Sequence, residues 1–403
     1  MSDEQSKKPT RRKLLKFAGA VGAVQALGVL PQAVAQTWQK IGNPTGAAGT
    51  WQRLSPVGGT PKVVAIAGGG THCVALRSDG KVFACGGGSS GQLGWGSGNR
   101  STYVQSLGIS NARHVAAGGH SSMALRSDGA VLKTGSENVE PSPTSSFVQA
   151  IGISNAVWIT SGQLHSFAIR ADGFAFAKGE RLGGKLGNAS AVDITTFLQC
   201  IGISNVMSIG CGYRHSVALQ SDGKVFTTGS NTYGQLGSND TSMTGRTTFA
   251  QTIGISNAVA VAAGYYHSVA LRADGLVYVA GRGSSGQLGT NSTADCFTFV
   301  QATGISNAIA IACGSNTSMA LRADGRVFAC GNNFWGQLGA NDVSSRSTFT
   351  QAIGISNAVA IAAGGSNAYA LRADGAVFGA GPGAALGLND STARSTYVQA
   401  TSI

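Results

Sequence analysis

Charge is scarce in this chain. Asp, Glu, Lys and Arg make up 11% of its 403 residues, against roughly a quarter in an ordinary soluble domain. Beyond the first 35 residues there is no run of Lys or Arg, so the basic stripe that marks most nucleic-acid-binding domains is missing. The formal net charge is +12; the first 35 residues, with six Lys/Arg and two Asp/Glu, supply +4 of it, leaving +8 for the rest. No apolar stretch reaches the ~20 residues needed to cross a bilayer as a helix. His-Glu-x-x-His, P-loop and Cys-x-x-Cys patterns are also absent. With them go the usual routes to metal hydrolysis, phosphate binding and thiol redox catalysis.

Glycine is plentiful instead: 60 residues, about twice the usual share. Because Gly costs roughly 1 kcal/mol relative to Ala inside a helix, helix should not dominate. An apolar content of 42% is ample for a core. The glycines fall in repeats. Gly-Ile-Ser-Asn begins at Gly108, Gly152, Gly202, Gly254, Gly304 and Gly354. Ala-Leu-Arg-Ala-Asp-Gly or a close variant occurs seven times, with its Asp at 79, 128, 172, 222, 274, 324 and 374. A period near 50 residues means one supersecondary unit repeated around a closed or stacked architecture.

The unit over residues 254–303 shows its parts. Ala258 to Ala263 is apolar on both faces and reads as a strand buried on both sides. Ser268 to Arg272 reads as a second strand, Asp274-Gly275 as a tight hairpin turn, and Leu276 to Ala280 as the returning third strand. A loop with Gly286-Gln287-Leu288-Gly289 leads to a fourth, Phe297 to Gln301. Four antiparallel strands per unit and seven units predict an all-β, seven-bladed β-propeller of four-stranded blades. Thr50 to Leu54 and Thr396 to Ala400 both look like outer strands, and either could close the ring. Blade 2 lacks the Gly-Gln-Leu-Gly loop and carries Glu137-Asn138-Val139-Glu140-Pro141 in its place.

Segment 1–35 reads as an address. Thr10-Arg11-Arg12-Lys13-Leu14-Leu15-Lys16 resembles the twin-arginine export motif, Phe17 to Leu30 is mildly apolar, and Ala33-Val34-Ala35 fits a cleavage site. The expected organisation is a signal over 1–35, a segment over 36–60 that helps close the ring, and a propeller over 61–403. The mature protein is expected in the periplasm or secreted, as a monomer without a membrane span.

The seven cysteines do not form a disulfide framework, because several share repeat positions with Ala, Ser and Thr. They read as small buried strand residues. Cys73 and Cys85 are the pair to watch: a three-residue loop over Ser78-Asp79-Gly80 would set them opposite each other, and whether they bond stays open. His72, His165, His215 and His267 share one repeat position, taken elsewhere by Ser121, Thr317 and Asn367. Hydrogen-bonding substitutes favour an inter-blade hydrogen bond over a metal site. Gly87-Gly88-Ser89-Ser90-Gly91 matches the nucleophile-elbow pattern but falls in a propeller loop. No catalytic residue, metal or cofactor is expected.

Gly212-Tyr213-Arg214-His215-Ser216-Val217-Ala218-Leu219, Asp222-Gly223, Gly229-Ser230-Asn231 and Gly234-Gln235-Leu236-Gly237 resemble the regulator-of-chromosome-condensation repeat, and the resemblance recurs from about residue 50 to 403. It implies a seven-bladed propeller. It also implies, as alternatives, nucleotide exchange on a small GTPase with chromatin binding, or inhibition of a secreted enzyme. The plant ultraviolet-B photoreceptor has similar repeats, but Tyr213 stands where its sensing Trp would be.

In a four-stranded meander the first and third connections emerge on one face of the disc. Tyr213, Arg214, Tyr233, Tyr265, Tyr266, Phe334 and Trp335 lie in those connections of blades 4 to 6. Tyr, Trp and Arg dominate interface hot spots, so these seven are the expected protein-binding residues.

Overall fold

The computed structural model describes residues 38–41, 50–53, 60–139, 142–401 and 403; the export-type segment 1–35 lies outside the described residues. Seven four-stranded antiparallel sheets succeed one another, each made of strands consecutive in the chain. The first comprises Val63–Gly68, His72–Arg77, Val82–Gly86 and Arg100–Gln105; the seventh ends with Arg394–Gln399. Among the described residues, helix is limited to two short 3-10 turns, Leu182–Gly184 and Gly383–Ala385. This is the expected seven-bladed propeller. Its core lies between blades: Cys73, Cys85 and Tyr103 of blade 1, for example, pack with Tyr369, Leu371 and Leu386 of blade 7.

The two repeated motifs mate with each other. In blade 5, Gly275 N donates to Arg272 O, and Gly275 then takes φ +83° before the third strand begins. This is a three-residue hairpin loop with glycine in the left-handed region. The Gly-Ile-Ser-Asn link to the next blade grips that turn, since Ala308 N donates to Gly275 O at 3.0 Å and Asn307 sits against the glycine. Within the link Asn307 has φ 53° and Ile305 is buried. The same grip joins Gly80 to Ala112, Gly129 to Ala156 and Gly223 to Ala258. Near-identity of these segments is therefore a packing requirement.

Ring closure needs no exchanged strand. Arg394–Gln399 is the outer strand of blade 7, whereas Thr50–Arg53 pairs with Trp38–Ile41 in a separate two-stranded sheet. Around one mouth of the central channel, backbone hydrogen bonds pass from blade to blade. Gly70 N donates to Gly118 O, Gly119 N to Gly162 O, Tyr213 N to Tyr265 O, Tyr265 N to Ser315 O and Ser315 N to Gly365 O. Gly365 N then donates to Gly69 O at 2.9 Å and joins blade 7 to blade 1. Between blades 3 and 4 the Lys185 ammonium reaches Tyr213 O instead, at 3.5 Å.

The shared histidines do bond between blades, each to a serine hydroxyl of the next blade. His215 Nε2 lies 3.0 Å from Ser268 Oγ, and that hydroxyl donates to Gln235 O at 2.6 Å. The serine proton is thus committed to the carbonyl, which leaves His215 as the Nε2–H donor. His72 with Ser122, His165 with Ser216 and His267 with Ser318 repeat the arrangement. Burial lowers the His215 pKa to about 3 and that of His267 to about 4, so both stay neutral.

Blade 2 answers its missing loop with charge. Glu137 and Lys178 of blade 3 form a buried ion pair at 3.0 Å, and Ser166 donates to the same carboxylate. Cys73 and Cys85 face each other in register, as a three-residue loop requires, and both are free thiols. Burial pushes Cys73 up to about 12 and Cys85 well above the ordinary thiol value, which keeps them protonated.

Candidate interaction surface

The third connections are built to present one residue. In blade 4 the Gln235 side-chain carbonyl accepts from Tyr233 N at 2.8 Å, Asn231 Oδ1 accepts from Leu236 N at 3.0 Å, and Leu236 is wholly buried. The loop is thereby pinned with Tyr233 on its outer side. Blade 6 repeats the device, with Trp335 N donating to Gln337 Oε1 at 2.9 Å and Asn333 Oδ1 accepting from Leu338 N. The matching residues in blades 1 and 5 are Ser90 and Ser285. Only the blade 4 and 6 loops place an aromatic ring there.

The first connections ring the channel mouth. Where blades 1, 2 and 7 have Gly70, Gly119 and Gly365, and blade 6 has Ser315, blades 4 and 5 carry Tyr213 and Tyr265. Their rings lie 5.3 Å apart. The Tyr265 hydroxyl donates across the mouth to Gln163 Oε1 of blade 3 at 3.2 Å. Tyr266 meets Tyr213 edge-on at 5.8 Å and Tyr233 at 5.2 Å. The four tyrosines thus form one half-buried cluster. Burial and the neighbouring Tyr213 phenol raise the Tyr266 pKa, against the opposing pull of Arg214 and Arg282.

Arg214 and Arg282 cover the cluster. The exposed Arg214 has its guanidinium 5.3 Å from the Tyr213 ring centre. Arg282 lies 4.8 Å from Tyr233 and 5.8 Å from Tyr266. Sequence reading named Arg214 and missed Arg282. The available signal was its position directly after the third strand of blade 5, where blade 4 has Ser230 and blade 6 Asn332. Phe334 and Trp335 make a second feature. They pack edge-to-face at 5.0 Å and are 68% and 49% exposed, so a partner could reach both. The seven named residues thus fall into a tyrosine–arginine cluster over blades 4 and 5 and a separate pair on blade 6.

The opposite face has its arginines occupied. Arg272 pairs with Asp274 and lies 4.9 Å over Tyr278; Arg322 pairs with Asp324 and lies 5.3 Å over Phe328. The third-loop Arg346 and Arg394 are likewise paired, with Asp342 and Asp390. Ser89, of the nucleophile-like pattern, sits exposed in a blade 1 loop, as expected for a chance match.

The profile of the RCC1-like domain matches residues 136–403, and the regulator of chromosome condensation (RCC1) repeat matches residues 63–92 and 79–125. No curated protein matches the chain. Prp20p from Saccharomyces cerevisiae, a structure described with its binding to Gsp1p and histones, is 20% identical with a TM-score of 0.65, over 75% of this chain and 80% of that one. Human WBSCR16 is 20% identical with a TM-score of 0.66, over 80% of this chain and 94% of that one. Yeast RCC1 (Prp20) bound to Kap60 gives 15% identity and a TM-score of 0.69, over 100% of this chain and 90% of that one. Likeness at these identities speaks for the fold.

Proposed function

This chain belongs to the RCC1-like domain family, and from that premise we propose that it is an exported, non-enzymatic binding propeller that engages a protein partner through the loops of blades 4 to 6. The observation that carries the reading is the tyrosine–arginine cluster at the channel mouth, where the other repeats have Gly, Ser or Gln at the position of Tyr213 and Tyr265. Hot spots are enriched in Tyr, Trp and Arg because such side chains bring large contact area at low entropic cost. Phe334 and Trp335 extend the same face with accessible apolar surface. Nucleotide exchange on a small GTPase would place the protein in the cytosol, where a twin-arginine signal does not leave its cargo; inhibition of a secreted enzyme is compatible with export. No helix among the described residues is long and apolar enough to cross a membrane.

The test is affinity capture from the envelope fraction of the source organism. Tyr266→Ala and Trp335→Ala should each weaken retention of the partner about 30-fold, the effect of losing roughly 2 kcal/mol. Arg322→Ala, on the opposite face, should change nothing. A partner held equally by all three variants would move the interface elsewhere.

A further inference from the structure

We infer that the channel mouth receives an acidic segment of the protein partner, with Arg214 and Arg282 binding Asp or Glu carboxylates above the four tyrosines. The inference rests on the binding reading above and adds the chemistry of the partner.

The pattern of ion pairing carries it. Six hairpin arginines, at 77, 126, 170, 272, 322 and 372, are each neutralised by an Asp two residues on. Arg346 and Arg394 have carboxylates as well. Arg214 and Arg282 have none among the described residues. Of the acids in the same loops, Glu180 pairs with Lys185, while Asp295 and Asp240 accept backbone N–H bonds within their own loops and make no ion pair with either arginine. In a chain with so few charges, two un-neutralised guanidiniums over one aromatic cluster form a distinct positive site.

Their setting suits carboxylates. A guanidinium lying on a ring face keeps its N–H edge free, and that edge matches the two oxygens of a carboxylate. Arg282, held against two rings, has already lost much of its rotamer freedom, which lowers the cost of binding. The phenols beside it add neutral donors and apolar walls. A nucleic-acid strand presents a phosphate about every 3.4 Å and is met by a line of cations. Here the cations are this cluster, the buried Lys185 already paired with Glu180, and Arg181, whose loop packs against Arg214 through Gly183. The adjoining mouth positions are Gln163 and Ser315, both uncharged.

The experiment is calorimetric titration of the protein, at low salt, with a hexaglutamate peptide, a six-residue oligothymidylate and inorganic phosphate. Hexaglutamate should bind saturably and more weakly as salt rises. Arg214→Gln and Arg282→Gln should each reduce its affinity about tenfold, in line with losing a charge-assisted hydrogen bond. Arg322→Gln should leave it unchanged. Arg214 is exposed, so its variant tests the idea even if Arg282→Gln disturbs the tyrosine packing, which near-ultraviolet circular dichroism would reveal. Absence of hexaglutamate binding, or binding indifferent to Arg214→Gln, overturns the inference. So does tighter, arginine-dependent binding of oligothymidylate or phosphate. A captured partner sensitive to Tyr266→Ala but not to either arginine change would sink the acidic inference alone; one sensitive to none would sink the binding face itself.

Discussion

Gly275 meets two constraints at once. Its φ of +83° lies where side chains with a Cβ are strained, and a Cβ built there would come within 2.9 Å of Asn307 Cα. Asp274 contributes less: its carboxylate accepts from Leu276 N at 3.2 Å and pairs with a half-exposed arginine. Exposed ion pairs of this kind contribute at most about 1 kcal/mol. We therefore expect Asp274→Ala to cost about 1 kcal/mol or less and Gly275→Val about 3 kcal/mol or more, since strain and clash add. Urea denaturation of the two variants checks this. Equal tolerance would mean that the link does not grip the turn.

At the scale of the element, the blade interfaces are held by groups that acid attacks. His267 bonds Ser318 of blade 6 while neutral, and its folded value of about 4 lies below the ordinary 6.5. Unfolding then takes up a proton at any pH between those values. The stabilisation is fully present above about pH 6.5 and is lost as pH falls toward 4, by up to about 1.4 kcal/mol per unit for each such histidine. His215 behaves alike, down to about 3. His267→Thr, which installs the blade 6 residue of that position, should lower stability at pH 7 and flatten the decline between pH 6.5 and 4. Denaturation curves across that range read the slope; an unchanged slope would show that His267 is not buried in its neutral form. The blade 2–3 interface uses a buried ion pair where blades 1, 4, 5 and 6 use the Gly-Gln-Leu-Gly loop. Charge there is satisfied by partners, as burial demands.

For the whole molecule, each blade packs on the next, though through different polar contacts from junction to junction, so all seven blades must form before the last interface can. That fits export of an already folded cargo, the expectation raised by the twin arginines. Changing Arg11→Lys and Arg12→Lys together should leave folded, uncleaved precursor in the cytoplasm, by fractionation and N-terminal sequencing. A mature form beginning at Gln36 still appearing outside would remove the assignment.

The sequence by itself determined the blade. Its strands, the Asp-Gly turns and the Gly-Ile-Ser-Asn links depend on backbone geometry within a few residues, and six or seven repetitions made each legible. Even the facing of Cys73 and Cys85 follows from the length of one turn. What the tertiary structure decided lies between blades. Tyr213, Tyr233, Tyr265 and Tyr266 come from two kinds of connection on two blades, and nothing local shows that their rings meet while Phe334 and Trp335 stay apart. Glu137 stood out as a substitute for a loop, yet its partner Lys178 lies on a strand of the next blade. Arg282 drew no notice until the rings beneath it were in place. Turns are fixed by neighbours in the chain; such side-chain contacts are fixed only once the ring has closed and brought distant loops to one mouth.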